Sequence, residues 1–230
     1  SLDEAHLKKR FPKIFSSCME YNIDISTDLL PVRPAAHFAV GGVATDLDGA
    51  TTLDGLFAAG EVASTGVHGA NCLPGNTLLE GLVFGARASA AMLAGKPAHR
   101  KPPSKKAAAA IMTAHSELPD GAPALSKAEV ERRAAEIRRV MWKKAGIIRD
   151  GRDLAAAVAK LDSLDFTPSA LTQSEHEIRN ILDISRAIAK SALARQESRG
   201  AHYRTDHPLR DETSPPRHSY LSLNQPVYFQ

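Results

Sequence analysis

The sequence predicts an α+β fold in which a strand, a glycine-rich loop and a helix form one unit, followed by an all-α three-helix bundle. The first observation is Gly55-Leu56-Phe57-Ala58-Ala59-Gly60, a compact apolar run bounded by glycines that reads as a buried strand ending at Glu61. The second is the Gly-, Asn- and Pro-rich loop 64–76, which precedes a stretch from Thr77 to Leu93 with Leu78, Leu79, Leu82, Val83, Ala86 and Ala90 at helical spacing. The third is a change of character after Gly95: a Pro- and Lys-rich stretch without apolar periodicity, then three amphipathic segments.

In chain order, residues 3–22 place Leu7, Phe11, Ile14, Phe15, Cys18 and Tyr21 at helical intervals, with Asp3 as a cap and Pro12 inside the pattern. One short helix or a broken pair is expected, and residues 1–30 form a first segment. From Leu30 onward Pro31, Pro34 and the pair Gly41-Gly42 mark loop and short strands, and Val43-Ala44-Thr45 runs into Asp46-Leu47-Asp48-Gly49, which reads as a hairpin turn. Residues 31–95 make the second segment and 96–106 a linker. In the third, 107–205, Val130, Ala134, Ile137 and Met141 share a stripe behind a Ser126/Glu129 capping box. Leu154, Val158 and Leu161 mark a second helix, and Ile178, Ile181, Leu182, Ser185, Ile188 and Ala192 a third. The proline-bearing tail, 206–230, lacks an amphipathic pattern and is expected to be irregular.

Twenty-nine basic residues against 26 acidic ones, spread along the chain, leave a net charge of +3. That balance points away from nucleic-acid and membrane partners and towards a small-molecule ligand. Cys18 and Cys72 are far apart and lack the paired spacing of a metal site, so a reducing, cytoplasmic setting and no metal are expected. No apolar run approaches the roughly 20 residues that span a bilayer.

Residues 60–80, Gly-Glu-Val-Ala-Ser-Thr-Gly-Val-His-Gly-Ala-Asn-Cys-Leu-Pro-Gly-Asn-Thr-Leu-Leu-Glu, are the most informative stretch. The first amides of a helix lack internal acceptors and sit at the positive end of its dipole, while preceding glycines let a ligand approach the backbone. An electron-rich group belongs at such a place. The string resembles the flavin-binding return segment of the succinate dehydrogenase, fumarate reductase and L-aspartate oxidase flavoproteins. The resemblance extends to Pro34-Ala35-Ala36-His37-Phe38 with Gly41-Gly42, to Met141-Trp142 with Gly146-Ile147-Ile148-Arg149, and to Glu197-Ser198-Arg199-Gly200-Ala201-His202-Tyr203-Arg204-Thr205-Asp206. Pro-Ala-Ala-His, His-Gly-Ala-Asn and Asn-Thr-Leu-Leu-Glu look most like the L-aspartate oxidase family.

The resemblance implies an FAD-dependent oxidoreductase that converts L-aspartate to iminosuccinate, with hydride passing to FAD, reoxidation by oxygen or fumarate, and a place in NAD biosynthesis. Glu61 would accept hydrogen bonds from the ribityl hydroxyls. Asn76, Thr77 and Leu78 would form the flavin-facing helix start, with the Thr77 and Leu78 amides at the pyrimidine carbonyl, where negative charge gathers on reduction. His37 would donate to a carboxylate of a small dicarboxylate substrate. His68 and Asn71 would shape the same pocket, while His202 and Arg204 are weaker candidates whose plainer reading is capping.

The pattern departs from the family in two places. The family has an arginine after His-Gly-Ala-Asn that clamps a substrate carboxylate, and this chain has Cys72 there. Arg33 and Arg87 are the nearby substitutes in sequence, and a small residue in a rebuilt pocket is the other reading of Cys72. There is also no Gly-x-Gly-x-x-Gly dinucleotide fingerprint and no upstream arginine for proton transfer, so the cofactor site is expected to be incomplete and the catalytic residues are not assigned. Residues 1–30 then read as a capping-domain remnant, 31–95 as the carboxy-terminal part of an FAD-binding domain and 107–205 as the helical carboxy-terminal domain. A truncated oxidase with little activity alone is the leading expectation. A fumarate- or succinate-type flavoprotein, and a non-catalytic helical fragment that binds a partner supplying the missing amino-terminal segment, are the alternatives.

Overall fold

The computed structural model describes residues 3–95, 124–164, 166, 172–222 and 225–230. The expected linker, 96–106, and the start of the helical segment lie outside them. The chain divides into two compact units, 1–35 and 36–230.

In the first unit the broken pair forms as α1 (Glu4–Arg10) and α2 (Pro12–Met19). The Asp3 carboxylate accepts from the His6 amide at 2.6 Å, closing the α1 start. Pro12 causes the break and profits from it, because at the first position of α2 its missing N–H costs nothing. Phe15 is buried, with the Lys8 ammonium 5.0 Å from its ring centre.

The second unit opens with β1 (Val43–Ala44), which pairs in parallel with β2 (Ala63–Ser64). The turn at Asp46–Gly49 is present, its amides at Asp48 and Ala50 both held at 2.9 Å by the Asp46 carboxylate. It does not return β1 on itself as a hairpin, because the partner of β1 is β2. The strand expected over Gly55–Gly60 does not form. Gly55 and Gly60 hold φ of +78° and +75°, which turns the run aside at both ends. Phe57 makes only an isolated bridge to Ala50, and Gly60–Val62 is a 3-10 turn. Glu61 therefore sits in that turn rather than at a strand end.

Helix α3 (Asn76–Leu93) follows the loop as expected, yet its buried face is Glu80, Phe84, Ala88 and Ala91. The stripe read from the sequence faces out, with Leu78, Leu79, Leu82 and Val83 at 75%, 57%, 71% and 52% exposure. This helix is apolar almost all round, a pattern suited to burial on more than one side.

The three-helix bundle consists of α4 (Lys127–Lys144), α5 (Gly151–Ser163) and α6 (Gln173–Ala194). Ser126 caps α4 by accepting from the Glu129 amide, and Asp150 caps α5 from the Arg152 amide. Ile137, Val140, Ala157, Leu161, Ile178, Leu182 and Ala189 interlock as the core. The strand pair β3 (Ile148–Arg149) and β4 (Tyr203–Arg204) runs parallel beside the bundle. The tail is less irregular than expected. Strands β5 (Ser219–Tyr220) and β6 (Tyr228–Phe229) form a short antiparallel pair, the Tyr220 and Tyr228 rings stack at 5.5 Å, and Arg195 and Arg217 lie over Phe229. Among the described residues no helix is long and apolar enough to cross a membrane.

Candidate cofactor and substrate site

The 3-10 turn carrying Glu61 rests on α3, where a side-chain carbon added at Gly60 would lie 3.6 Å from the Gly81 backbone. Glu61 reaches the other way and accepts from the Ala39 amide at 3.1 Å, which fastens the irregular segment holding His37 and Phe38. The His37 side chain belongs to an exposed residue of that segment. Phe38 packs edge-on to the His68 ring, centroids 5.3 Å apart and planes at 75°.

His68 is itself anchored. Its Nε2 lies 2.8 Å from Glu80 Oε2, and the other Glu80 oxygen accepts from the Thr65 hydroxyl at 2.5 Å. Glu80 stands on the buried face of α3, so one carboxylate ties Thr65 and His68 of the glycine loop to the helix. His68, which the sequence places at the substrate pocket, thus has its Nε2 engaged by Glu80.

The start of α3 has no side-chain cap, and Gly75 before it is left-handed at φ +91°. The Thr77 and Leu78 amides have no acceptor among the described residues. Two aligned donors at the positive end of an 18-residue helix suit a carbonyl that gains negative charge. Glu61, whose Oε1 accepts from the Ala39 amide, suits hydroxyl donors at its other oxygen. The donor and acceptor set thus fits the ring and ribityl side of a flavin. Cys72 is half-buried, and its thiol donates to the Leu73 carbonyl at 3.4 Å, a weak contact that leaves no charge for a carboxylate. Arg87 does not stand in for the absent arginine: its guanidinium lies over the Phe84 ring, 5.7 Å from the centre.

The carboxy-terminal loop braces the His68–Asn71 loop. The Ala201 amide donates to the Ala70 carbonyl at 3.0 Å. Gly200, at φ +59°, has no room for a side chain, since an added Cβ would fall 2.1 Å from the Ala70 oxygen. Replacing Gly200 by alanine should cost about 1–2 kcal/mol from the left-handed backbone alone. Hydrogen exchange of the Ala201 amide should accelerate, because its bond to Ala70 must open; unchanged protection would show that the two loops do not brace each other.

Next to this brace Arg149 donates to His202 Nδ1 at 2.7 Å and to the Ala145 and Gly146 carbonyls at the end of α4. A guanidinium only donates, so Nδ1 must be bare and the neutral ring carries its proton on Nε2. Burial, then the Arg149 charge, holds the His202 pKa down to about 4 from 6.5. Arg204, only 3% exposed, forks onto Asp206 and also donates to the Leu193 and Arg195 carbonyls. His202 and Arg204 therefore lock the loop rather than reach for a ligand. Hydrogen bonds from Arg199, from the Asp211 amide and from Arg195 lower the Glu197 pKa to about 2, and Arg204 does the same for Asp206.

These groups set an acid limit. For His202 the unfolded chain takes up its proton first, so its share of stability is complete above pH 6.5 and declines as pH falls towards 4. Glu197 and Asp206 add stability present above 4.5 and 3.8 respectively, which is lost as pH falls towards 2. Melting followed by circular dichroism should show the midpoint falling in two stages, and His202→Asn should remove the upper one. A midpoint that stays flat between pH 6.5 and 4 would contradict the His202 assignment.

Two family profiles match the chain: the FAD binding domain over residues 1–78 and the fumarate reductase flavoprotein C-terminal region over 134–227. The L-aspartate oxidase of Caulobacter vibrioides is 41% identical over 207 residues, covering 90% of this chain and 35% of that protein. An L-aspartate oxidase sequence of Rhodospirillum rubrum is 37% identical over 207 residues and is itself covered to 69%. The chain belongs to the L-aspartate oxidase and fumarate reductase family of flavoproteins. A solved Escherichia coli quinol fumarate reductase superimposes with a TM-score of 0.73 at 28% identity, covering all of this chain and 42% of that one. The chain thus spans well under half the length of the Caulobacter and Escherichia coli proteins. The first profile ends on the Thr77-Leu78 helix start, and the second takes in the Arg149–His202 and Arg204–Asp206 contacts.

The sequence pointed to Glu61, the α3 start and His37, and missed Glu80, Thr65, Arg149 and Gly200. Glu80 had a readable signal: it falls on one helical stripe with Phe84, Ala88 and Ala91, and a lone acid on an apolar stripe needs buried partners.

Proposed function

We propose that this chain supplies the flavin-ring and substrate side of an L-aspartate oxidase. The carrying observation is the uncapped, glycine-led start of α3 with the free Thr77 and Leu78 amides, beside the turn that presents Glu61. When bound, FAD supplies the hydride acceptor for oxidation of L-aspartate to iminosuccinate and is regenerated by oxygen or fumarate, at the aspartate-consuming entry to NAD biosynthesis. The chain's own part is to hold and orient. The Thr77 and Leu78 amides favour negative charge at the pyrimidine carbonyl, Glu61 takes ribityl hydroxyls, and His37 donates to a substrate carboxylate.

The exposed apolar face of α3 supports a further element of the reading. Four large aliphatic side chains in solvent on one helix mark a surface suited to packing against more protein, such as the part of the longer relatives that this chain does not span. On this reading the isolated chain turns over little or no aspartate. The fumarate- or succinate-type alternative draws on the likeness to quinol fumarate reductase and differs in substrate, a dicarboxylate without an amine.

The test is a visible absorption spectrum of the purified chain with FAD, followed by anaerobic L-aspartate or succinate. Retained flavin that bleaches with aspartate supports the oxidase reading and bleaching with succinate alone supports the alternative. A protein that remains colourless with FAD in excess would overturn the cofactor role of this segment on its own.

A further inference from the structure

Glu80 lies outside the set of groups assigned to flavin or substrate, and the burial of its side chain against His68 needs an explanation. Their side chains are 1% and 7% exposed, and a buried carboxylate is tolerated only where its oxygens are matched. Both are matched, by the Thr65 hydroxyl on Oε1 and the His68 ring on Oε2. The bond to Glu80 fixes the ring of His68, with Nε2 as its donor and Nδ1 buried without a partner among the described residues. That fixed ring makes the T-shaped contact with Phe38, the residue next to His37.

We propose that Glu80 is a positioning residue for His37, acting through the part-buried series Thr65–Glu80–His68–Phe38. The segment holding His37 has no regular structure, so its placement depends on side-chain ties. Among the described residues, the Ala39 amide on Glu61 and the T-shaped Phe38–His68 ring contact grip the residues immediately after His37. Glu61 fixes the backbone; Glu80 fixes the ring that Phe38 leans on. A side chain on α3 thereby sets the setting of a histidine that precedes the helix by 39 residues at its first turn. The inference rests on the proposed function only for what His37 does once placed.

Imidazole-detected NMR of the full chain, labelled at histidine, tests it without turnover. Glu80→Gln keeps the shape but removes the charged acceptor, and Thr65→Ala removes the hydroxyl that steadies Glu80 while leaving the His68–Glu80 bond. The expected result is that the His37 resonance moves in Glu80→Gln and moves less, in the same direction, in Thr65→Ala, with loss of the nuclear Overhauser contact between the His68 and Phe38 rings in the first. A lowered melting temperature with His37 resonances superimposed on those of the parent in both variants would overturn the proposal and leave Glu80 a packing residue. Should Glu80→Gln fail to fold, the position of His37 in Thr65→Ala decides by itself. Because no flavin or substrate enters the experiment, this result stands apart from the fate of the oxidase reading.

Discussion

Arg204→Ala is expected to destabilise the chain by about 1.5–3 kcal/mol, the range for hydrogen bonds to a charged group, because the guanidinium is buried while Asp206 keeps one third of its side chain in solvent. The guanidinium is 3% exposed and donates to both Asp206 oxygens, at 3.0 and 2.5 Å, and to the Leu193 and Arg195 carbonyls at 2.8 and 3.0 Å. Those two carbonyls belong to the last turn of α6, where acceptors run out of intrahelical donors and a cation meets the negative end of the dipole. Alanine would strand two carbonyls and a carboxylate that also holds the Gly151 amide at the start of α5. One side chain therefore joins the end of α6, the start of α5 and the strand β4. Against a total stability of roughly 5–15 kcal/mol, such a loss is large. Urea unfolding followed by Trp142 fluorescence measures it, and Arg204→Lys should fall between, since an ammonium keeps the charge and loses the fork. A midpoint within about 1 kcal/mol of the parent, the range of an ordinary surface change, would show that the fork is dispensable.

The parts of this fold that were legible in the sequence are those governed by local rules. Ser126 and Glu129 announce the start of α4, Pro12 divides α1 from α2, and the spacing of Leu154, Val158 and Leu161 finds α5. Where tertiary partners decide, local reading falls short. Gly55–Gly60 has the composition of a buried strand, but left-handed glycines at both ends and a single bridge at Phe57 leave it unladdered. The hydrophobic stripe of α3 was assigned to the wrong side because apolar residues surround the helix, and only the Glu80, Phe84, Ala88 and Ala91 face has cover among the described residues. Tyr220 and Tyr228 pair across a hairpin that no alternation announces, since each strand is only two residues long.

The site divides in the same way. Glu61, Thr77 and Leu78 were legible because a glycine loop before a helix start carries its chemistry in the backbone, where sequence spacing is enough. The ties that arrange the loop around them were not, because Gly200 meets Ala70, and Arg149 meets His202, across more than 50 residues of chain. A left-handed glycine pressed on a carbonyl and a guanidinium facing an imidazole leave no periodic trace. His68 joins the two levels. Its place in the loop suggests a pocket residue, and Glu80 on the neighbouring helix face holds its ring.

Cys72 carries the prediction with the most direct bearing on substrate. Its thiol makes one weak contact, to the Leu73 carbonyl, in the loop that leads to the uncapped start of α3. Among the described residues Arg149 is engaged by His202 and the end of α4, Arg199 by Glu197, and Arg204 by Asp206. None of them replaces the two-pronged grip that the resemblance places at position 72. Cys72→Arg is therefore expected to tighten dicarboxylate binding by about 1.5–3 kcal/mol, the range for a hydrogen bond to a charged group. That corresponds to roughly 10–150-fold in Kd, at 1.4 kcal/mol per decade. Cys72→Lys should recover a smaller part, because a point charge attracts a carboxylate without fixing its plane. Titration of the FAD-treated chain with L-aspartate or succinate, followed by calorimetry, measures the change. Equal affinities in the parent and Cys72→Arg would place position 72 away from the carboxylate and favour a pocket rebuilt around a small residue, for which a monocarboxylate should then bind as well as a dicarboxylate.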